Sequence, residues 1–576
     1  MHMAWIRTAT AWAGLGLALT LATGTPAQAQ VQQSADFRQR PPEDEVIYFV
    51  LPDRFRNGDS ANDRGGLAGD RLATGYDPTD RGFYHGGDLK GLIEGLDYIQ
   101  GLGVTALWIA PIFANKPVQG PPGHESAAYH GYWITDFTRV DPHFGTNDDF
   151  RALVEAAHAR GIKVYIDIVI NHTADVIRYR ECPGFTCAYR SRADHADPAY
   201  TAYVSAGEAD IKVPAWLNDP ARYHNRGNSD WYGESALDGD FAGLDDVATE
   251  DPVVIQGFID VYGAWIDDYG IDGYRIDTAK HVNPEFWQAF VPAMMERARA
   301  RGIPNFHIFG EVYSFDPAQL ARHTHVDRLP TVLDFAVQRA IQDMIAGTEG
   351  PDRLEAVLAA DAVYAGGPAT ALRLPTFNGN HDMGRIGRLI LNARPDIGDE
   401  ELLARTTLAH ALLLTGRGPP VIYYGDEQGF TGDGDDKASR QDMFETRVPD
   451  YADDRRIGSA DEAFDTEATL YGRIAALARI RAGDERLRRG DSLIRRADQD
   501  PGLLAISRLI PGQPGETLVV FNTGSVPITA NLVVESGSRD WRGVHGSCPT
   551  QASRPGVVTV TVPPLDYMIC VAEGAR

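Results

Sequence analysis

The segment Gly273–His281 reads GYRIDTAKH. Side chains two apart on a strand share a face, so Arg275 and Asp277 would point the same way, with Asp277 at the strand's end. A guanidinium beside a carboxylate favours the ionised form and lowers its pKa. That is the state a carboxylate nucleophile needs. Taken alone, the stretch could equally be a structural ion pair. Three further stretches weigh against that: DIVINH (Asp167–His172), FGEVYS (Phe309–Ser314) and FNGNHD (Phe377–Asp382). Each is an apolar run ending in a polar cluster that carries an acid or a histidine. Four such endings are what a parallel α/β barrel needs, because its chemistry sits at the carboxyl ends of several strands.

The elements that would hold these endings can be traced along the chain. Candidate strands cover 46–51, 104–110, 163–170, 273–277, 307–311, 331–335, 374–378 and 421–424. Helical periodicity separates most of them, for example over 148–160, 253–269 and 401–415. Eight strands alternating with helices predict an α/β fold, a (β/α)₈ barrel. The connection from Thr173 to about Gly239 has little helical period and many Gly, Asp, Asn and aromatic residues. An excursion of that length predicts an inserted domain or lid. After about Asp484 short β-like runs at 503–510, 517–522, 528–534, 557–562 and 567–572 predict an antiparallel β-sandwich. The predicted organisation is therefore barrel over 30–172, insert over 173–239, barrel again over 240–484 and sandwich over 485–576.

Taken in order, the four stretches resemble the conserved regions of the α-amylase family (glycoside hydrolase family 13), and the resemblance runs from about residue 46 to the C-terminus. It implies a retaining glycosidase that cuts α-1,4-glucosidic bonds in starch-like glucans and maltooligosaccharides. It also implies a small irregular domain after the third barrel strand and a C-terminal β domain. Asp277 would be the nucleophile, Glu311 the acid/base and Asp382 the third carboxylate, which stabilises the oxocarbenium-like transition state. The apolar run before Glu311 would raise its pKa toward working pH. By the same resemblance, His172, His381 and Tyr132 would surround the sugar at the cleavage point, and Lys280 and His281 would meet the leaving-side sugar. Asp436 and Arg440 would touch sugars further along the donor side. Cyclomaltodextrinase or neopullulanase, α-glucosidase and transglycosylase activities remain open within the family. A non-catalytic glucan-binding relative is the rival class, and the presence of all three acids argues against it.

Asn57-Gly-Asp-Ser-Ala-Asn-Asp63 places four oxygen-bearing side chains within seven residues, and Tyr84-His-Gly-Gly-Asp88 adds a carboxylate among glycines. Calcium takes six to eight such oxygens. The pair resembles the N-terminal Ca²⁺ site of cyclodextrin glucanotransferases. Asn57, Asp59, Asn62, Asp63 and Asp88, with the Gly86 carbonyl, would be its ligands; a polar Asx-rich turn is the alternative. A second calcium, between barrel and insert, would use Asn171. Its usual Asp partner aligns with Gly243, which leaves Asp245 or Asp246 as substitutes.

Residues 1–29 read as a secretory signal: Arg7, an apolar stretch from Ala9 to Ala22, and Ala27-Gln28-Ala29 before the cut. A membrane anchor is the alternative, but the apolar stretch is short of the ~20 residues a span needs. Export to the periplasm or medium makes disulfides plausible for the four cysteines. They fall into two local pairs, Cys182 with Cys187 and Cys548 with Cys570. A metal site is the alternative, though no CxxC or nearby His pattern supports it. The net charge of −26 over 576 residues argues against nucleic acid and anionic membrane as partners. A monomer acting on a neutral α-glucan is expected.

Overall fold

A computed structural model describes residues 37–573, apart from 433, 435, 453, 455 and 459–462. The expected leader at 1–29 lies outside the described residues.

Eight strands form one parallel sheet: β1 (Ile47–Val50), β2 (Ala106–Ile109), β3 (Lys163–Ile168), β4 (Gly273–Ile276), β5 (His307–Gly310), β6 (Thr331–Val332), β7 (Thr376–Phe377) and β8 (Pro420–Tyr423). Their order is β7-β8-β1-β2-β3-β4-β5-β6, so chain order runs around the sheet and the seam falls between β6 and β7. Across that seam the Asp334 N–H donates to the Pro375 carbonyl at 2.9 Å. A helix follows each strand: α1 (Leu89–Gly101), α2 (Asn147–Ala159), α3 (Pro252–Tyr269), α4 (Pro284–Ala300), α5 (Pro317–His325), α6 (Phe335–Ala346), α7 (Asp399–Thr415) and α8 (Thr469–Gly483). The strands are buried on both faces, as in IYFV and KVYIDI, where every residue is inside. Continuous apolar runs are what a parallel sheet covered by helices demands. Glycine is required at the start of β4: a Cβ on Gly273 would lie 2.4 Å from the His307 carbonyl oxygen.

All eight expected strands are present, but β6 is much shorter than 331–335. Asp334 caps α6, its side chain accepting the Val337 N–H at 3.0 Å, so the chain has already turned into helix at Phe335.

Residues 173–239 carry short pieces of structure. Ile177–Tyr179 pairs with Ala202–Val204, and the Cys182–Cys187 disulfide closes the adjoining loop. His172–Thr173 pairs antiparallel with Asp245–Asp246, which ties the end of β3 to the chain returning to the barrel.

The C-terminal strands are β9 (Asp491–Ala497), β10 (Leu503–Leu509), β11 (Glu516–Asn522), β12 (Ile528–Val533), β13 (Trp541–His545), β14 (Val557–Val562) and β15 (Asp566–Ala572). A five-stranded antiparallel sheet, β9-β10-β11-β15-β13, faces the pair β12-β14. The period of two decides which side chain goes where. Leu504, Ile506, Val519 and Phe521 join the core under the helices, while Leu503, Ala505, Leu518 and Val520 form a second core with Leu532, Val558 and Val560. Cys548–Cys570 links β15 to the segment after β13. Strands β9 and β13 were not expected; both are sheet edges, and charged residues interrupt their apolar pattern. Among the described residues no helix is long and apolar enough to cross a membrane.

Candidate active site

The carboxyl ends of the parallel strands open into a cleft of about 610 Å³. Asp277 follows β4, Glu311 follows β5 and Asp382 comes from the turn after β7; all three line it. Beneath them lies Arg275, fully buried on β4. Its Nη1 donates to Asp277 Oδ1 at 2.8 Å and to Asp167 Oδ1 at 2.9 Å. Its Nη2 stands 3.0 Å from Glu311 Oε1. One planar guanidinium therefore serves three carboxylates from three neighbouring strands. Strand register makes this possible, because Arg275 pairs directly with Asp167 across β4 and β3, and with Phe309 across β4 and β5.

This arrangement corrects the expectation that Arg275 simply lowers the pKa of Asp277. Burial raises that carboxyl well above its ordinary value; Arg275 opposes the shift, and the charge on Glu311 adds to it. Burial likewise pushes Asp167 up to about 7 against the same guanidinium. Burial thus raises two of the carboxyls that share this one fixed positive charge. The setting of Glu311 is also less apolar than expected. Its Oε2 accepts the Thr278 N–H at 3.1 Å, and Thr278 holds a left-handed φ of 49° to present that N–H. Backbone strain of this kind collects where a site over-determines the chain.

Asp167 was quoted in the sequence without a role. It is fully buried and also accepts from Trp108 Nε1 and Tyr132 Oη, each at 3.1 Å. The usable signal was an acid inside an apolar strand, one strand before the arginine that ends the next.

Tyr132 and Trp133 line the cleft, and the Tyr132 hydroxyl lies 2.9 Å from His381 Nε2. His381 in turn stands 3.3 Å from Asp382 Oδ2. Arg440 Nη2 reaches Asp382 Oδ1 at 3.1 Å and Asp436 Oδ2 at 2.9 Å. His172, stacked on Phe241 at 5.2 Å, keeps a buried Nε2 without a partner. His281 Nδ1 lies 2.7 Å from the Ala236 carbonyl oxygen. Burial pushes His172 down to about 3 and His281 down to about 4, and it lowers His381 well below the usual range. All three are neutral imidazoles at ordinary pH. Lys280 donates to the Tyr313 carbonyl at 3.3 Å. The structure thus gathers Tyr132, His172, Lys280, His281, Asp436 and Arg440 around one cleft, while the expected His381 and Arg275 are buried and do not line it. It adds the aromatics Trp133, Trp231, Tyr232, Phe241 and Tyr313, which sequence patterns did not single out because loop aromatics carry no period.

The N-terminal oxygen cluster also converges. Asp88 caps α1, and its carboxylate accepts N–H groups from Gly91, Gly58 and Asp59 at 2.7, 3.1 and 2.8 Å. Asn62 Nδ2 reaches the same carboxylate at 3.1 Å, while Asn62 Oδ1 is buried with no partner. Asn57 Nδ2 donates to Asp63 Oδ1 at 2.8 Å. A Cβ on Gly86 would lie 2.7 Å from both groups, so Gly86 faces the same point. Burial raises the pKa of Asp63, and the nearby charges of Asp88 and Asp59 raise it further. Asp59 itself turns to Lys90 Nζ at 2.5 Å. An orphaned amide oxygen beside crowded carboxylates fits a hard cation, with Asp59 the weakest member of the set. Among the described residues no group of three or more His, Cys, Asp or Glu side chains is arranged for a metal; this cluster relies on asparagines instead.

The second expected calcium position does not fit. Asp245 accepts from Lys212 Nζ at 2.6 Å and from the Ile177 N–H at 3.1 Å. Asp246 pairs with His224 Nδ1 at 2.5 Å. Both carboxylates offered as partners for Asn171 are thus engaged by side-chain nitrogens. The Asn171 side chain itself meets His172 Nδ1 at 3.4 Å.

Comparison with known proteins follows the same outline. The family described as "Alpha amylase, catalytic domain" matches residues 49–463. An α-amylase of Streptomyces lividans is 45% identical over 540 residues, which cover 88% of this chain and 58% of that protein. The chain thus spans less than two thirds of that relative. A solved Anoxybacillus α-amylase superposes with a TM-score of 0.71 at 29% identity, covering 93% of this chain and 99% of that one. A cyclomaltodextrin glucanotransferase described as having a three-domain ABC distribution gives 0.73 at 28% identity, over 92% of this chain and 99% of the other.

Proposed function

The chain belongs to the α-amylase family of glycoside hydrolases, and from that premise we propose that it hydrolyses α-1,4-glucosidic bonds in starch-like glucans with retention of configuration. The observation that carries this reading is the shared guanidinium: Arg275 Nη1 bonds Asp277 and its Nη2 stands 3.0 Å from Glu311, beneath one cleft. A single guanidinium bridging both carboxylates favours the short spacing, about 5–5.5 Å, of a pair that attacks directly.

In this reading Glu311 gives its proton to the glycosidic oxygen as the bond to C1 breaks. Asp277 closes on C1 from the opposite face and forms the glycosyl ester. Water then enters; Glu311 takes its proton, and the oxygen displaces Asp277. Asp382, fixed by Arg440 and adjoining His381, supplies negative charge as the oxocarbenium-like state develops. His172 and His381 would serve the sugar at the cleavage point, with the Tyr132 ring beneath it, and neutral His281 would hydrogen-bond the leaving-side sugar.

The architecture is read as a (β/α)₈ barrel closed at the β6–β7 seam, with an inserted domain over 173–239 and a C-terminal β-sandwich domain over 485–576. Asn57, Asn62, Asp63, Gly86 and Asp88 would hold a Ca²⁺ that pins the loop after β1 to the start of α1; no chemical step involves it. Export agrees with the two disulfides, which persist in oxidising compartments.

The test is proton NMR during early hydrolysis of maltoheptaose. Two inversions restore the starting hand, so the α-anomer is expected to appear first. A β-anomer appearing first overturns the mechanism, and no cleavage of any α-1,4-glucan overturns the assignment.

A further inference from the structure

A buried cluster of charged groups lies behind the loop between β8 and α8 and takes no part in the chemistry above. Its members are Asp53, Arg54, His85 and Asp442, all buried. Arg54 Nη1 stands 3.0 Å from Asp53 Oδ2 and 3.8 Å from Asp442 Oδ1. Both ring nitrogens of His85 are engaged. Nδ1 lies 2.7 Å from Asp442 Oδ1, and Nε2 lies 3.1 Å from the Asp80 carbonyl oxygen. The other oxygen of Asp442 accepts the Thr446 hydroxyl at 2.7 Å. The backbone that carries the ring is itself fixed, because Asp53 Oδ1 accepts the His85 and Gly86 N–H groups at 3.0 and 3.1 Å.

Asp442 stands two residues from Arg440, and Arg440 reaches the catalytic carboxylates. The Asp382 side chain is 42% exposed, so its place depends on the groups that hold it: Arg440 Nη2 at 3.1 Å and His381 Nε2 at 3.3 Å. Arginine is a long side chain with much rotamer freedom to lose. It can hold Asp382 in one geometry only if its own backbone is held. That backbone is fastened on both sides. In front, Ser439 Oγ and Arg440 Nε donate to the His381 carbonyl at 3.2 and 3.0 Å. Behind, Asp442 meets His85, and the Met443 N–H donates to the Arg54 carbonyl at 2.8 Å.

We propose that His85 is a positioning residue for the reaction: through Asp442 it fixes the loop that carries Arg440, and through Arg440 it fixes Asp382. This rests on the reading above that Asp382 stabilises the oxocarbenium-like state. Asp382 acts mainly as that charge develops, so a loosened Asp382 weakens transition-state binding more than substrate binding. Turnover then falls while KM stays.

The experiment is a double-mutant cycle on the full-length enzyme with soluble starch, using His85→Leu and Arg440→Gln. His85→Leu is expected to lower kcat by about ten-fold, short of the ~10²-fold that a misplacement of about 1 Å costs, with KM little changed. In the Arg440→Gln background the same substitution is expected to cost less than about two-fold, because residues acting through one network do not add. Asp442→Asn keeps the shape and an acceptor for the ring, and is expected to stay within about three-fold of the parent. Thermal midpoints are read on every protein. If His85→Leu does not fold, the pair His85→Leu/Asp442→Leu, which leaves no carboxylate alone beside the lost ring, carries the same cycle. Equal losses in the two backgrounds would show a merely structural role and overturn the proposal, as would parent-like kcat in His85→Leu; either leaves the α-glucan reading intact. If the parent enzyme cuts no α-1,4-glucan, that reading fails and the role of His85 fails with it.

Discussion

Replacing Arg275 by Lys keeps the charge and removes the fork. The guanidinium is fully buried, and its partners Asp167, Asp277 and Glu311 have side chains no more than 11% exposed. Solvent screening is therefore small. A lysine ammonium is a single point on a flexible stem and can serve one or two of the three carboxylates, not all of them in fixed geometry. Each charge-assisted hydrogen bond lost costs about 1.5–3 kcal/mol. A loss of roughly 2–3 kcal/mol in stability is expected, seen as a fall of several degrees in the thermal midpoint. The catalytic effect should be larger. A displacement of about 1 Å in the nucleophile or the acid costs ~10²-fold, and both are tied to this group. We expect kcat/KM on soluble starch to fall by about 10²–10³-fold, or ~2.7–4 kcal/mol at ~1.36 kcal/mol per decade. The assay is reducing-sugar release by purified protein, with calorimetry on the same sample. Activity within three-fold of the parent, together with a lowered midpoint, would show that Arg275 only cements the barrel and does not place the carboxylates.

Asp277→Asn, which preserves volume, is expected to lower turnover by several orders of magnitude with the midpoint little changed; near-normal hydrolysis would remove Asp277 from the role of nucleophile. Chelation is expected to lower the thermal midpoint, since a cation present at ~100 times its Kd contributes about 2.7 kcal/mol, and Asp63→Ala should blunt that response; an equal response in the variant would place any cation elsewhere. His410 is buried with neither ring nitrogen partnered, and burial pushes it down to about 4. Its unfolded value is ~6.5, so the unfolded chain binds the extra proton between those values, and stability falls as pH drops through that window. His410→Leu should flatten this acid limb by up to about 3 kcal/mol. Urea midpoints at pH 7 and near pH 4.5 measure it, and parallel pH profiles would refute it.

Much of this molecule was legible in its sequence, and for definite reasons. Strand positions follow from short apolar runs, and the acids that end them mark the reactive edge, because both are local properties of a few adjacent residues. That is why Asp277, Glu311 and Asp382 stood out before any fold was known, while the roles expected of them came from the family resemblance. The two disulfides were readable because each pair is close in sequence. The tertiary structure alone decided what those residues share. Arg275 and Asp167 lie 108 positions apart, yet strand register sets them side by side. The resulting competition for one guanidinium reversed the expected direction of the Asp277 shift, since burial, which no linear pattern records, outweighs the ion pair. Lys212 and Asp245 likewise meet only because the insert folds back across the end of β3. The rim aromatics Trp231 and Tyr232 had no pattern to betray them. Their place at the cleft depends on where a loop leaves them in space, and that is fixed by packing and backbone hydrogen bonds rather than by periodicity.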